Sequence, residues 1–106
     1  MPRNAARGEV WLVDLGMAAK VRPCLVLSIP LDEADRALVT AVTHTTSLRG
    51  SRFEVSVRTR FLRRAGAFDA QNIVTFPQAK LIKRLGALDD VQLAAVEKTV
   101  RSWLGL

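Results

Sequence analysis

The apolar residues of this chain come in short runs closed by turn-forming residues, and that feature leaves few folds open. Runs of strand length, each bounded by Gly, Pro or a polar cluster, point to an antiparallel β core. The first run is Glu9 to Leu15 and the second is Pro23 to Ile29. Gly16 to Arg22 forms a connection of hairpin-loop type between them. Pro30 closes the second run, because it has no N–H to give a sheet ladder. An acidic surface loop over Leu31 to Arg36 precedes a third strand, Ala37 to Thr45, rich in Val and Thr. After a loop from Thr46 to Ser51, the stretch Arg52 to Val57 alternates, with Phe53, Val55 and Val57 on one face. Arg58 to Arg64 is a basic patch around Phe61 and Leu62. Asn72 to Phe76 and Ala79 to Ile82 read as two further short strands, broken at Pro77.

Only the C-terminus carries a helical period. Leu93, Val96, Val100, Trp103 and Leu104 recur at spacings of three and four, which gives one apolar stripe. Asp89 and Gln92 have the spacing of a capping box. Lys98 and Arg101 lie toward the end that favours cations, and Gly105 stops the helix. The expected architecture is a mainly β chain: a small, strongly bent antiparallel sheet or barrel finished by one helix. A length of 106 residues suits one domain spanning 1–106.

Charge narrows the choice of partner. Sixteen Lys and Arg against ten Asp and Glu leave a net charge of +6, which favours a polyanion such as nucleic acid. A surplus of that size also serves solubility alone. One cysteine, Cys24, excludes an internal disulfide and a multi-cysteine metal site. One histidine, His44, excludes a two-histidine acid/base pair. Asp32, Glu33 and Asp35 form an acidic loop whose simplest reading is solvation, and no phosphate-cradling glycine loop is present. No metal or other cofactor is therefore expected. No apolar run is long enough to span a membrane, and the first eight residues lack the apolar core of a secretory signal. The expected location is the cytoplasm.

Two clusters remain as candidates for chemistry. Arg22-Pro23 enters a strand, and His44-Thr45-Thr46-Ser47-Leu48-Arg49-Gly50-Ser51-Arg52 leaves one. Proline holds its predecessor extended, so the Arg22 guanidinium is pre-oriented to grip a phosphate with two parallel hydrogen bonds. Thr45, Thr46 and Ser47 add neutral donors. Such a set suits stabilisation of a pentacoordinate phosphorane. The plainer alternative pairs Arg22 with a carboxylate and leaves the threonines as strand-edge residues.

Arg7-Gly8-Glu9-Val10-Trp11, then Arg22-Pro23 and a hydrophobic strand, resembles the opening of the MazF/PemK family of toxin endoribonucleases. Val42-Thr43-His44-Thr45-Thr46, then Gly50 and Phe53-Glu54-Val55, is similar to that family's threonine-bearing strand end. Gln78, Lys80-Leu81-Ile82, Arg84-Leu85-Gly86 and the final helix resemble its closing segment. The resemblance implies a bent SH3-like barrel of the MazF/PemK/CcdB type, usually homodimeric. It also implies metal-free, sequence-specific cleavage of single-stranded RNA. In that reaction the 2′-OH attacks the adjacent phosphate, leaving a 2′,3′-cyclic phosphate and a 5′-OH. The family's arginine maps to Arg22 and its threonine to Thr45, with Thr43 as the alternate. His44 is a further catalytic alternate, although adjacent strand residues point to opposite faces. Lys20, Thr46, Ser47, Arg49, Arg52 and Lys80 are candidates for contacts to RNA, and Arg58, Arg60, Arg63 and Arg64 extend the track or are simply solvated. Trp11 and Phe53 can stack bases or fill the core. The implied protein partner is an acidic antitoxin, MazE-like or other.

Three positions depart from the family. The loop from Gly16 to Val21 is shorter and lacks the Glu-Gln-Gly stretch. Thr75 and Pro77 stand where some relatives carry an Arg and an Asp. Arg52 stands where several have Pro or a small residue. Other readings are a non-catalytic nucleic-acid-binding barrel, a gyrase-poison-type toxin relying on Arg101, Trp103 and Leu106, and a relic inactivated by the short loop.

Overall fold

In a computed structural model that describes residues 4–16 and 20–106, six strands form one antiparallel sheet. They are β1 (Glu9–Asp14), β2 (Val21–Val26), β3 (Leu38–Thr45), β4 (Glu54–Val55), β5 (Ala67–Pro77) and β6 (Leu81–Ala87). Their order across the sheet is β4-β5-β3-β2-β1-β6. The outer strands β4 and β6 do not pair with each other, so the expected barrel is a strongly bent open sheet. Met17, Ala18 and Ala19 of the first connection lie outside the described residues.

The alternation of side chains builds two apolar layers, one on each face. Trp11, Val13, Cys24, Val26, Val39 and Ala41 meet Phe76 and Leu81 on one side. Val10, Leu25, Val42, Phe53 and Phe68 meet the helix on the other. Strands buried on both faces read as continuous apolar runs, which is how β1 to β3 look in sequence. The helix α1 (Asp90–Leu104) contributes Val96 and Val100 to the second layer. The expected capping box at Asp89 is present, with the Asp89 side chain accepting from the Gln92 N–H at 2.8 Å. Gly105 ends the helix in the left-handed region at φ 72°. Trp103 packs edge-on to Phe53, at 5.3 Å between centroids, while Leu104 stays half exposed.

β5 corrects the sequence reading. One 11-residue strand runs from Ala67 to Pro77 where a short strand from Asn72 was expected. Val42 opposes Ile73 and His44 opposes Phe68, so five residue steps on β5 answer two on β3. The extra length bends the strand, as bulges do. Its first half (Phe68, Ala70) packs in the helix layer and its second (Val74, Phe76) in the other. Asp69 and Gln71 at the bend hid the strand from a hydrophobicity reading. A 3-10 turn over Gln78–Lys80 replaces the start of the expected last strand, which begins at Leu81. β4 is also shorter than the predicted Arg52 to Val57, although Phe53, Val55 and Val57 do face one layer. β2 ends at Val26 because Leu27 and Ser28 both donate to the Thr40 carbonyl, at 2.9 and 3.3 Å.

The Arg-Gly-Glu-x-Trp segment fastens distant elements. Arg7 pairs with Glu97 on α1 and donates to the Leu27 carbonyl. The Glu9 carboxylate accepts from the Ala6 N–H at 2.7 Å, Trp11 Nε1 at 3.1 Å and Arg84 Nε on β6 at 2.6 Å. Desolvation raises its pKa, but these bonds outweigh it and hold the carboxyl below its ordinary range. On β6, Gly86 lies beneath the Phe61 ring, where a Cβ would come within 2.4 Å of Phe61 Cδ2. Gly86→Ala is therefore expected to lift the Phe61 loop and destabilise the protein by about 1–3 kcal/mol. The urea midpoint reads this, and a midpoint equal to that of the parent protein would show that Phe61 relaxes without loss.

Candidate functional site

The site begins with a missing hydrogen bond. Along β2, backbone polar groups alternate between the neighbouring strands. Leu27 N donates to Thr40 O on the β3 side, and Val26 O accepts from Gly8 N on the β1 side. Position 23 therefore faces β3, and Pro23 has no N–H to give it. The β2–β3 ladder ends accordingly at Cys24 opposite Thr43, while β2 stays paired to β1 as far as Val21. Continued two residues, the same register sets Arg22 opposite Thr45 and Pro23 opposite His44. Residues of both strand ends beyond the ladder line a cleft.

The cleft has a volume of about 620 Å³. Arg22, His44, Thr45, Thr46 and Ser47 line one side, and Phe61, Leu62, Arg63 and Arg64 line the other, with Leu12, Lys83 and Leu85 from β1 and β6. Its charged lining groups are Lys20, Arg22, Arg63, Arg64 and Lys83, all cations. Such a concentration of one sign draws anions and holds them. Thr45 Oγ1 accepts from the Ser47 N–H at 3.1 Å, which leaves the Thr45 hydroxyl proton to donate outward. Arg22 also lines a second cleft of about 460 Å³ on the far side, with Asp14, Asn72, Thr75, Pro77 and Lys80. It thus stands on the ridge between two cavities.

The candidate residues divide. Arg22, His44, Thr45, Thr46, Ser47 and Lys20 come together in the first cleft, and Lys80 lies in the second. Arg49 and Arg52 line neither. The Arg49 backbone N–H donates to Glu54, at 3.0 Å to Oε2, and the Ser51 N–H donates to Glu54 Oε1 at 3.0 Å. These bonds, the Arg49 N–H foremost, hold the Glu54 carboxyl below its ordinary range and fix the loop after β3. Arg52 lies over the Phe53 ring at 4.6 Å. Trp11 and Phe53 are core residues. Lys83 was missed because the last strand was expected to stop at Ile82, and Arg63 and Arg64 carried no periodic signal.

Thr43 and His44 behave differently from each other. Thr43 is fully buried opposite Cys24, and its hydroxyl has no hydrogen-bond partner. Cys24 is itself sealed, and burial pushes its thiol up to about 12. His44 and Thr45 both line the cleft, although adjacent strand residues point to opposite faces. Burial lowers the His44 pKa from its ordinary 6.5. Among the described residues no three His, Cys, Asp or Glu side chains gather as a metal-binding group.

These features define a small β protein with a cation-lined cleft beside the ends of β2 and β3. Residues 6–104 match the family described as the PemK-like, MazF-like toxin of type II toxin-antitoxin systems, and the chain belongs to that family. It is similar to an endoribonuclease from a mycobacterial species, with 27% identity, a TM-score of 0.80, and 98% of this chain and 94% of that one covered. An endoribonuclease in complex with its cognate antitoxin, also mycobacterial, shares 28% identity over 96% of each chain with a TM-score of 0.81. The fold is also that of a MazE-MazF structure from Deinococcus radiodurans, with 22% identity, a TM-score of 0.81 and 98% of each chain covered. No curated protein matches by sequence.

Two stability experiments follow. Thr43→Val keeps the shape and removes an unsatisfied buried hydroxyl, so it is expected to stabilise the protein by about 1 kcal/mol. A loss of stability instead would mean that the hydroxyl is satisfied in solution. The folded state binds the His44 proton more weakly than the unfolded chain does, so the stability from neutral His44 is full above pH 6.5 and lost as pH falls below it. The melting temperature is expected to drop between about pH 7 and about pH 5, and the drop should shrink in His44→Gln. Parallel curves for the two proteins would contradict this.

Proposed function

We propose that this toxin is a metal-independent endoribonuclease that cuts single-stranded RNA at specific sequences. The observation that carries the reading is that Arg22 and Thr45 line one cleft whose charged lining groups are all cations. A phosphodiester of an extended strand binds there through the Arg22 guanidinium. Its fork geometry follows the extra negative charge as the phosphorus becomes pentacoordinate. The Thr45 hydroxyl donates to a non-bridging oxygen. The 2′-OH attacks the adjacent phosphorus, the O2′–P bond forms and the P–O5′ bond breaks. The ends are a 2′,3′-cyclic phosphate and a 5′-OH.

Lys20, Thr46 and Ser47 hold the strand beside the scissile phosphate. Lys80 holds it across the ridge, and Arg63, Arg64 and Lys83 line the opposite wall. Arg49 and Arg52 serve flanking phosphates. The reading treats residues 1–106 as one domain that works as a homodimer in the cytoplasm, neutralised by an acidic antitoxin. The antitoxin complex of the mycobacterial relative supports the partner. Among the described residues no helix is long and apolar enough to cross a membrane.

The test is cleavage of a mixed-sequence single-stranded RNA in excess EDTA, with fragment ends identified. Site-limited cuts ending in cyclic phosphate are expected. Arg22→Ala should lower the rate by about 10²–10³-fold or more, and Thr45→Val should also slow cleavage. RNA affinity in both should fall much less, since the other cations of the cleft remain. Binding without cutting by the parent protein would replace this reading with that of a nucleic-acid-binding module.

A further inference from the structure

The proposed reaction leaves one role unfilled, because some group must take the proton from the 2′-OH as it attacks. A guanidinium has no acceptor atom to take a proton, and a threonine hydroxyl is a poor base. No carboxylate lines the first cleft. On the other side of the Arg22 ridge, Thr75 and Pro77 have no basic side-chain atom, and the Asp14 carboxylate lines that second cleft and not the first. Resting on the ribonuclease reading above, we propose that His44 is the general base, its imidazole taking the 2′-OH proton inside the first cleft beside Thr45.

The surroundings of His44 are built for an imidazole. The ring lies edge-on to Phe68, with centroids 5.1 Å apart and planes at 73°, which fixes its tilt. Gly66 leaves the room it occupies, since a Cβ there would stand 2.8 Å from His44 Cε1 and 2.2 Å from the Thr45 carbonyl. Among the described residues no protein group hydrogen-bonds the ring nitrogens. Neither nitrogen is among the sealed, unpartnered atoms, which are limited to Thr43 Oγ1. The ring is thus not sealed, and His44 lines the cleft that a substrate hydroxyl would enter. The charged groups around the ring are Arg22 from β2, Lys20 before it, Arg63 and Arg64 from the loop and Lys83 from β6, while β5 faces it with Phe68. Burial favours the neutral ring, which is the form that accepts a proton.

The step balances within the cleft. The 2′-O–H proton passes to the imidazole as the O2′–P bond forms. The departing O5′ takes a proton from solvent water, and the imidazolium returns its own proton to solvent. No oxidant or metal enters the step.

The experiment measures kcat and KM across pH on a single-stranded oligonucleotide carrying one mapped cut site. The parent protein is compared with His44→Gln, with folding of the variant checked by circular dichroism. The expected result is a kcat lower by about 10²–10⁴-fold with KM little changed, and loss of the acidic limb of the kcat profile. Added imidazole should partly rescue His44→Ala. Because the chain has one histidine, carbethoxylation of the parent protein gives a test that needs no variant. Cleavage should stop on modification and return with hydroxylamine. A kcat near that of the parent in His44→Gln, an acidic limb that persists, or full cutting by the carbethoxylated protein would overturn the role of His44 and leave the ribonuclease reading intact. A parent protein that cuts no RNA would overturn the ribonuclease reading itself.

Discussion

A single absent N–H organises this molecule. β2 is paired along its whole length to β1, yet its ladder to β3 stops where Pro23 has nothing to donate. Proline in an inner strand is ordinarily excluded because it wastes a hydrogen bond. Here the ladder ends, and the residues beyond it on both strands line a cleft. Pro23 also constrains the residue before it, so Arg22 is held extended on the ridge between two cavities. The same proline thus stands at the end of the ladder and restricts the arginine before it.

The rest of the fold keeps that opening from spreading. Glu9 gathers the Ala6 amide, the Trp11 indole and Arg84 around one carboxylate, so the start of β1 and the middle of β6 cannot part. Arg7 ties the same segment to α1. Isolated surface ion pairs contribute little. This one is stronger in combination, since Glu9 is mostly shielded and saturated with donors. On the far wall, Phe61 lies over Gly86 and sets the loop that brings Arg63 and Arg64 over the cleft. Glu54 performs a comparable service for the loop after β3 through the amides of Arg49 and Ser51. Much of the Arg-Gly-Glu and Phe-Glu-Val resemblance is thus scaffold, and its acids act on backbone and neighbours rather than on a substrate.

What could be read from the sequence divides along the same line. The capped helix was legible to the residue, because Asp89, Gln92 and Gly105 act on their own near neighbours. β1 to β3 were legible because strands buried on both faces leave unbroken apolar runs. β5 was half hidden, since its bend carries Asp69 and Gln71 and its two halves serve different layers. In the site, Arg22 and Thr45 were recognisable, and their opposition is a register consequence of strands that sequence can propose but not align. The sharing of one cleft by His44 and Thr45 ran against strand alternation. Arg63, Arg64 and Lys83 reach the site through a loop and an edge strand, where charge has no periodicity to betray its direction.

The position of β1 has a consequence for how the protein is made. It lies between β2, its neighbour in the chain, and β6, whose pairing partners are some seventy residues further on, as in Glu9 opposite Ala87 and Trp11 opposite Arg84. Contacts that distant form late, after the long intervening loop has been closed. Lys83 and Leu85 of β6 are also part of the cleft wall. A nascent chain that has not yet emerged past β6 has no cleft, whatever else it has folded. The cleft is therefore among the last parts of the molecule to be completed as the chain folds.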